Sequence, residues 1–230
     1  DLKYNIKFFV TNSSASELLV GSSESLVGRV ELYSMMQLKF VDYLRFHLPE
    51  QAELVNSVSL SLRDQFRASL RRRDPSPLLE SARRACMLLD EPEITRRLVE
   101  YLLKDGYPEL LNKSLAESSL RLRQYLSLTL YKDVVRIFRV RNARELEDLL
   151  VYVARSSGGL FVDESASRML GISANTLKAY MEYLRLVFLV SRSEYYSRSR
   201  AARIRKCDKV YLLNVGLLNA LLGQMDESLL

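Results

Sequence analysis

The residues best suited to binding chemistry lie between Arg192 and Lys209. Seven Arg or Lys residues and two acidic residues occupy this segment, so its charge is +5, beside +6 for the whole chain. Arginine pairs bidentately with phosphate, and aromatic side chains such as Tyr195 and Tyr196 can pack on a sugar or a base. The segment is therefore predicted to contact the phosphate backbone of nucleic acid. The predicted contact residues are Arg192, Arg198, Arg200, Arg203, Arg205 and Lys206.

A helix-turn-helix is predicted immediately before this basic segment. An amphipathic helix with apolar residues from Leu146 to Val153 is followed by a short helix, for which Asp163 is the expected cap and Leu170 the end. Gly171–Ser173 is a tight turn in which Gly can take a positive φ and Ser can cap the next helix. Helix, turn and helix in this order can place the last helix in the major groove of double-stranded DNA.

The third helix, from Ala174, is predicted to have one apolar and one polar face. Its apolar face carries Leu177, Met181, Leu184 and Phe188. Its polar face supplies the other predicted nucleic-acid contacts, Asn175, Lys178 and Arg185. Two strands, at 189–196 and 209–213, are expected to form a wing beside this helix.

At the other end of the chain, an apolar run stops at small polar residues. Lys7–Val10 is typical of a buried parallel strand, and Thr11–Ser14 would lie where such a strand ends at a ligand crevice. Because a buried strand needs neighbours, its partners are expected to precede Asp1. We therefore expect the chain to be the C-terminal part of a larger protein.

The middle of the chain is predicted to be helical. Apolar residues recur at spacings of three and four across 38–48 and 54–70, and 115–138 is expected to be another long helical stretch. Cys86–Glu91 resembles a Walker B strand, but the preceding residues are helical and Asp90 can cap a helix over 93–103. The interpretation favoured here is a helix end followed by a cap.

The composition and residue spacing exclude several kinds of metal and nucleotide site. Cys86, Cys207 and the single histidine, His47, have no zinc-binding spacing, and no glycine begins a P-loop or a dinucleotide-binding turn. The absence of a long apolar run and of a signal peptide favours a cytoplasmic location without a membrane span. Arginine outnumbers lysine 25 to 9, a usage that can accompany heat-adapted ion-pair networks.

Several motifs together resemble the AAA-type P-loop ATPases of archaea and bacteria and the domain of unknown function that commonly follows their core. The order and spacing of these motifs, rather than any single one, carry the resemblance. The matching segments are Thr11–Ser14, Leu26–Arg29, Val30–Tyr33, Gln37–Leu44, Asp105–Glu109, Tyr131–Val134, Gly171–Ser173 and Lys209–Leu217. Asn12, Gln37, Asp105 and Asn214 depart from the family pattern.

The resemblance implies a mostly α fold with a small β component. It would comprise a remnant of the α/β ATPase core at 1–48, a helical region at 49–142 and a winged-helix domain at 143–230. Thr11, Asn12 and Arg29 would sense the nucleotide, with Arg29 reaching the phosphates of its own or a neighbouring subunit of a homo-oligomer. ATP and Mg²⁺ would be bound by the missing N-terminal part, so this chain alone would be catalytically inactive.

The residues themselves leave other interpretations open beside the one that the resemblance implies. Thr11 and Asn12 can form a simple strand-end turn, and Arg29 a structural ion pair. The chain can instead be a winged-helix nucleic-acid-binding regulatory protein without nucleotide chemistry. In a third interpretation its arginines bind an acidic protein partner.

Overall fold

Helices make up most of the chain, as the spacing of its apolar residues predicts, and a small antiparallel sheet completes the regular structure. The structure, a computed structural model, describes residues 35–199 and 206–225 and, before them, Phe9, Thr11, Glu31 and Tyr33. The strands predicted at Lys7–Val10 and Val30–Tyr33 rest largely on residues outside this description. Their described residues, Phe9, Glu31 and Tyr33, are exposed and lie in no strand, so for these three the prediction is wrong. The prediction of a mostly α fold with a small β component is confirmed.

The chain divides into two compact units. The sheet-containing unit comprises the described residues within Leu122–Asn214, and the all-helical unit comprises those within Ser34–Arg121 and Val215–Leu230. The domain ranges 1–48, 49–142 and 143–230 stay predictions.

The all-helical unit begins with a run of four helices. They are α1 (Phe40–His47), α2 (Pro49–Arg72), α3 (Ser76–Leu88) and α4 (Glu91–Lys104). The unit also contains a 3₁₀ turn (Pro108–Leu110), the start of α5 (Leu115–Ser127) and, near the end of the chain, α10 (Val215–Leu222). Helix α2 ends because Arg73 adopts a left-handed conformation with φ 56°, directly before Asp74 and Pro75. The Asp90 carboxylate accepts the Glu93 N–H at the start of α4, so the helix-end and cap interpretation of 86–91 is confirmed.

A close backbone approach connects three parts of this unit. Asp105 has φ 64° and ψ 178°, a conformation that glycine favours. Its carboxylate accepts the N–H of Gly106 at 2.7 Å and the N–H of Gly216 at 3.3 Å. The Gly106 carbonyl in turn accepts the N–H of Leu38 at 2.8 Å. The segment before α1, the end of α4 and the start of α10 are thereby joined through backbone groups.

The sheet-containing unit alternates helices with short strands. Its elements are a π-helical segment (Leu128–Val135), α6 (Arg136–Phe138), α7 (Ala143–Arg155), β1 (Leu160–Phe161), α8 (Asp163–Leu170), α9 (Ala174–Leu186), β2 (Val190–Ser193) and β3 (Asp208–Leu212). The helical stretch predicted over 115–138 is confirmed, and its hydrogen bonding changes from α to π at Leu128. A π-helix closes its hydrogen bonds over one more residue than an α-helix does.

Strand β3 lies between β1 and β2, and both pairings are antiparallel. Val190 stands opposite Leu212, and Phe161 opposite Asp208. The strands predicted at 189–196 and 209–213 are present as the antiparallel β2–β3 pair, although β2 is shorter than expected. The predicted third helix ends at Leu186, and Phe188 has φ 57°, so placing Phe188 on that helix was wrong.

Candidate nucleic-acid interface

The turn between α8 and α9 has the conformation that its sequence predicts. Gly171 ends α8 with φ 67°, and there is open space around the position that a Cβ would occupy. The Ser173 hydroxyl accepts the N–H of Thr176 at 3.0 Å and so caps α9. These two residues fix where α9 begins. The predicted capping of α8 by Asp163 is wrong, because Asp163 is the first residue of α8 and makes no cap hydrogen bond.

One face of α9 is anchored in the core. Leu177, Tyr180, Met181 and Leu184 are buried on it. The Tyr180 hydroxyl donates to the Glu145 carboxylate of α7 at 3.3 Å. Burial, with a smaller contribution from Glu145, raises the pKa of Tyr180, so this hydroxyl stays protonated and remains a donor. The anchored face leaves the opposite face of α9 directed to solvent.

The exposed face of α9 carries two kinds of side chain. Asn175 and Lys178 are exposed, and Lys178 forms no ion pair with a described carboxylate. Arg185 donates to Glu182 from Nε at 2.8 Å and from Nη2 at 2.5 Å. These hydrogen bonds lower the pKa of Glu182 and keep it ionised. Of the three residues predicted on this face, Asn175 and Lys178 are thus available for a ligand, and Arg185 has an internal partner.

Arg192 connects three elements of the unit. Its Nη2 lies 2.6 Å from Asp163 Oδ1 in α8, and its Nη1 lies 3.9 Å from Asp208 Oδ2 in β3. Its guanidinium carbon lies 5.0 Å from the centre of the Phe161 ring. Arg192 was predicted as a nucleic-acid contact, and the structure gives it partners within the protein. Sequence reasoning missed this ion pair because Asp163 is 29 residues away and has no spacing relation to Arg192.

A shallow cavity lies beside α9. It has a volume of about 150 Å³ and is lined by Lys178, Met181, Glu182, Arg185, Val190 and Arg192. Arg185 and Arg192 have carboxylate partners within the protein, so Lys178 is the cation of this lining that forms no ion pair with a described carboxylate. The sequence placed Lys178 and Arg185 on this surface and predicted a strand at 189–196, but it did not predict that Val190 and Arg192 of that strand line a cavity with them.

The loop between β2 and β3 supplies further cations. Arg198 and Lys206 are exposed, and Tyr196 is 89% exposed. Three other predicted contacts in this loop, Arg200, Arg203 and Arg205, lie outside the described residues. In the described part of the loop, basic and aromatic side chains therefore accompany one another at the surface.

The predicted nucleotide-sensing residues give a separate result. Thr11 is exposed, and Asn12 and Arg29 lie outside the described residues.

Where side chains are described, no group of three or more His, Cys, Asp or Glu residues could hold a metal ion. Across 35–199 and 206–225, every helix is too short or too polar to cross a bilayer.

His47 belongs to the all-helical unit and lies at the end of α1. Its ring packs against Tyr43, with 4.7 Å between ring centroids, and its Nε2 atom is buried without a hydrogen-bond partner. Burial and then the charge of Arg97 lower the pKa of His47. These surroundings are those of a packed aromatic side chain.

Comparison with known proteins identifies a family. No curated protein and no solved structure matches the chain. A family model described as a domain of unknown function, DUF8612, matches residues 95–228, which is more than half of the chain and includes the whole of α7–β3. The chain therefore belongs to the DUF8612 family.

Proposed function

We propose that the sheet-containing unit is a winged-helix module that binds double-stranded DNA through α9 and the β2–β3 loop. The element order α7, β1, α8, α9, β2, β3, with β3 at the centre of the sheet, supports this proposal. The observation that carries it is the exposed face of α9, where Asn175 and Lys178 are open to solvent, and the β2–β3 loop adds the exposed cations Arg198 and Lys206. A helix held on one face by the core and polar on the other can enter a major groove.

Each exposed group has a defined role in this proposal. Asn175, in the first turn of α9, reads a base edge, since an amide can pair bidentately with adenine. Lys178, Arg198 and Lys206 contact phosphates and release counterions. The Glu182 carboxylate repels the backbone weakly because Arg185 neutralises it.

Duplex-DNA affinity measured by fluorescence anisotropy over a range of salt concentrations tests the proposal. Lys178→Ala and Arg198→Ala are each expected to weaken binding and to reduce the slope of log affinity against log salt by about 1. Arg71→Ala is the matched control, because Arg71 is an exposed arginine of the all-helical unit. No binding at low salt, or equal losses in all three variants, would contradict the proposal.

A second candidate function rests on the conformation of Asp105. In the family of AAA-type ATPases that the sequence resembles, a glycine stands at this position, and Asp105 retains a backbone conformation that glycine favours. We propose on this basis that the chain is the C-terminal part of such an ATPase. The part that binds ATP and Mg²⁺ would couple hydrolysis to the DNA-binding module through Thr11, Asn12 and Arg29.

ATP turnover by the product of the whole reading frame that contains residues 1–230, measured beside the 230-residue chain, tests this second candidate. Turnover is expected in a longer product and not in the chain alone. Micromolar ATP binding with turnover by the chain alone would contradict it, as would an inactive longer product.

A further inference from the structure

The hairpin formed by α2 and α3 leaves large apolar side chains uncovered. Helix α2 has 24 residues but buries only Ala52 and Ser69, and α3 buries only Ala85. Six apolar side chains along 60–88 are between 48% and 83% exposed: Leu60, Phe66, Leu70, Leu79, Met87 and Leu88. We call these six residues the hairpin surface. Large apolar side chains left exposed on both helices of one hairpin are a feature of interaction sites.

Uncompensated positive charge accompanies the hairpin surface. Residues 60–88 contain seven arginines and three carboxylates. Arg67 and Arg84 have acidic neighbours within their own helices. The remaining arginines are exposed and form no ion pair with a described carboxylate: Arg63, Arg71, Arg72, Arg73 and Arg83. A ligand with negative charge would therefore complement this surface.

We propose that the hairpin surface binds an acidic amphipathic helix of another protein. Such a helix covers Phe66, Leu70 and Leu79 with its apolar side chains and pairs the free arginines with its carboxylates. Exposed leucine and methionine favour a protein over nucleic acid, because a phosphate backbone offers charge but little apolar surface to bury against them.

A second copy of this chain fits the hairpin surface poorly. In a two-fold symmetric contact the same surface is used twice, so the arginines of the two copies would face one another. The proposal concerns the all-helical unit and is independent of DNA binding by the sheet-containing unit.

The probe is a fluorescein-labelled peptide with leucine at helical spacing on one face and glutamate on the others. The control peptide has the same composition in scrambled order. The patterned peptide is expected to bind the full chain with micromolar affinity and the scrambled peptide at least tenfold more weakly. Phe66→Ser with Leu70→Ser, and Arg71→Glu with Arg72→Glu, are each expected to reduce affinity at least tenfold. All four side chains are exposed, and circular dichroism verifies that both variants remain folded.

Two controls separate this proposal from DNA binding. Met169→Ser removes an exposed apolar side chain from α8, and Lys178→Glu reverses an exposed charge on α9. Both are expected to leave peptide affinity unchanged, whereas Lys178→Glu weakens DNA binding. The proposal is overturned if both peptides bind alike or neither binds. It is also overturned if the hairpin variants instead abolish self-association, duplex-DNA binding or binding to anionic phosphatidylserine vesicles.

Discussion

Helices α9 and α2 have similar apolar periodicity and different surroundings. Thirteen residues of α9 bury four large side chains, whereas 24 residues of α2 bury only Ala52 and Ser69. The sheet-containing unit covers its apolar face with its own elements and shows a polar face to solvent. The all-helical unit leaves leucine and phenylalanine at its surface. Periodicity therefore predicts a helix, and the number of elements packed around it decides what its surface can bind.

The two units also differ in how they use charge. In the sheet-containing unit, Arg192 joins separate elements through Asp163 and Asp208. In the all-helical unit, several ion pairs lie along α4, including Arg96 with Glu93 and Lys104 with Glu100. Hydrogen bonds from Arg96 lower the pKa of Glu93 to about 2. Arg192 thus joins separate elements of its unit, whereas the ion pairs of α4 reinforce a single helix.

The largest expected difference between the units comes from two glycines. A Cβ at Gly106 would overlap the backbone carbonyl of Leu38, whereas a Cβ at Gly171 would meet open space. Gly106→Ala should therefore destabilise the all-helical unit by about 3 kcal/mol, and Gly171→Ala should cost about 1 kcal/mol through its positive φ alone. Amide hydrogen exchange, read separately over 35–121 and 122–214, measures both effects. Equal losses would refute the close approach at Gly106.

Arg192 and Arg185 test the difference between a pair that joins elements and a pair within one helix. Arg192→Met leaves Asp163 without its partner and should destabilise the sheet-containing unit by about 1–2 kcal/mol. Arg185→Met breaks an exposed pair and should cost less than about 0.5 kcal/mol. Urea unfolding followed by circular dichroism compares the two variants. If Arg185→Met is the more damaging, the structural role assigned to Arg192 is wrong.

Two helix caps provide a matched pair of smaller changes. Ser173→Ala removes the cap of α9, and Asp90→Ala removes the cap of α4. Each should cost about 1 kcal/mol, because one N–H of the first turn loses its acceptor. Hydrogen exchange should show the loss in the sheet-containing unit for the first variant and in the all-helical unit for the second. A loss in the unit that was not changed would contradict their division.

The smallest expected effect is a dependence of stability on pH. It distinguishes the units because the single histidine, His47, lies in the all-helical unit. Burial holds the pKa of His47 below its ordinary value of 6.5, so the folded chain binds this proton more weakly than the unfolded chain. The contribution of neutral His47 to the free energy of unfolding is therefore complete above pH 6.5 and decreases as the pH drops below that value. As the pH drops, amide protection, corrected for the pH dependence of intrinsic exchange, should decrease in the all-helical unit, and His47→Gln should remove that response. A larger response in the sheet-containing unit would exclude His47 as its cause.

Local sequence rules predicted much of this structure. The turn at Gly171, the cap at Ser173 and the helices on either side follow from residue type and spacing, and so does the cap at Asp90. The partners of Arg192 were not predictable, because Asp163 and Asp208 meet it only once the sheet has formed. The exposure of Phe66 and Leu70 was equally hidden, since spacing shows which residues share a face and not whether anything covers that face.

The π-helical stretch at Leu128–Val135 bears on how this chain can change in length. Because each of its hydrogen bonds spans an additional residue, the stretch contains surplus backbone compared with an α-helix of the same rise. A one-residue deletion there can be absorbed by a return to α-helical bonding. The same deletion within α7 would rotate every following side chain by about 100° and misalign its apolar face. Evolution can therefore add or remove an amino acid in this stretch at lower cost than in the neighbouring helix.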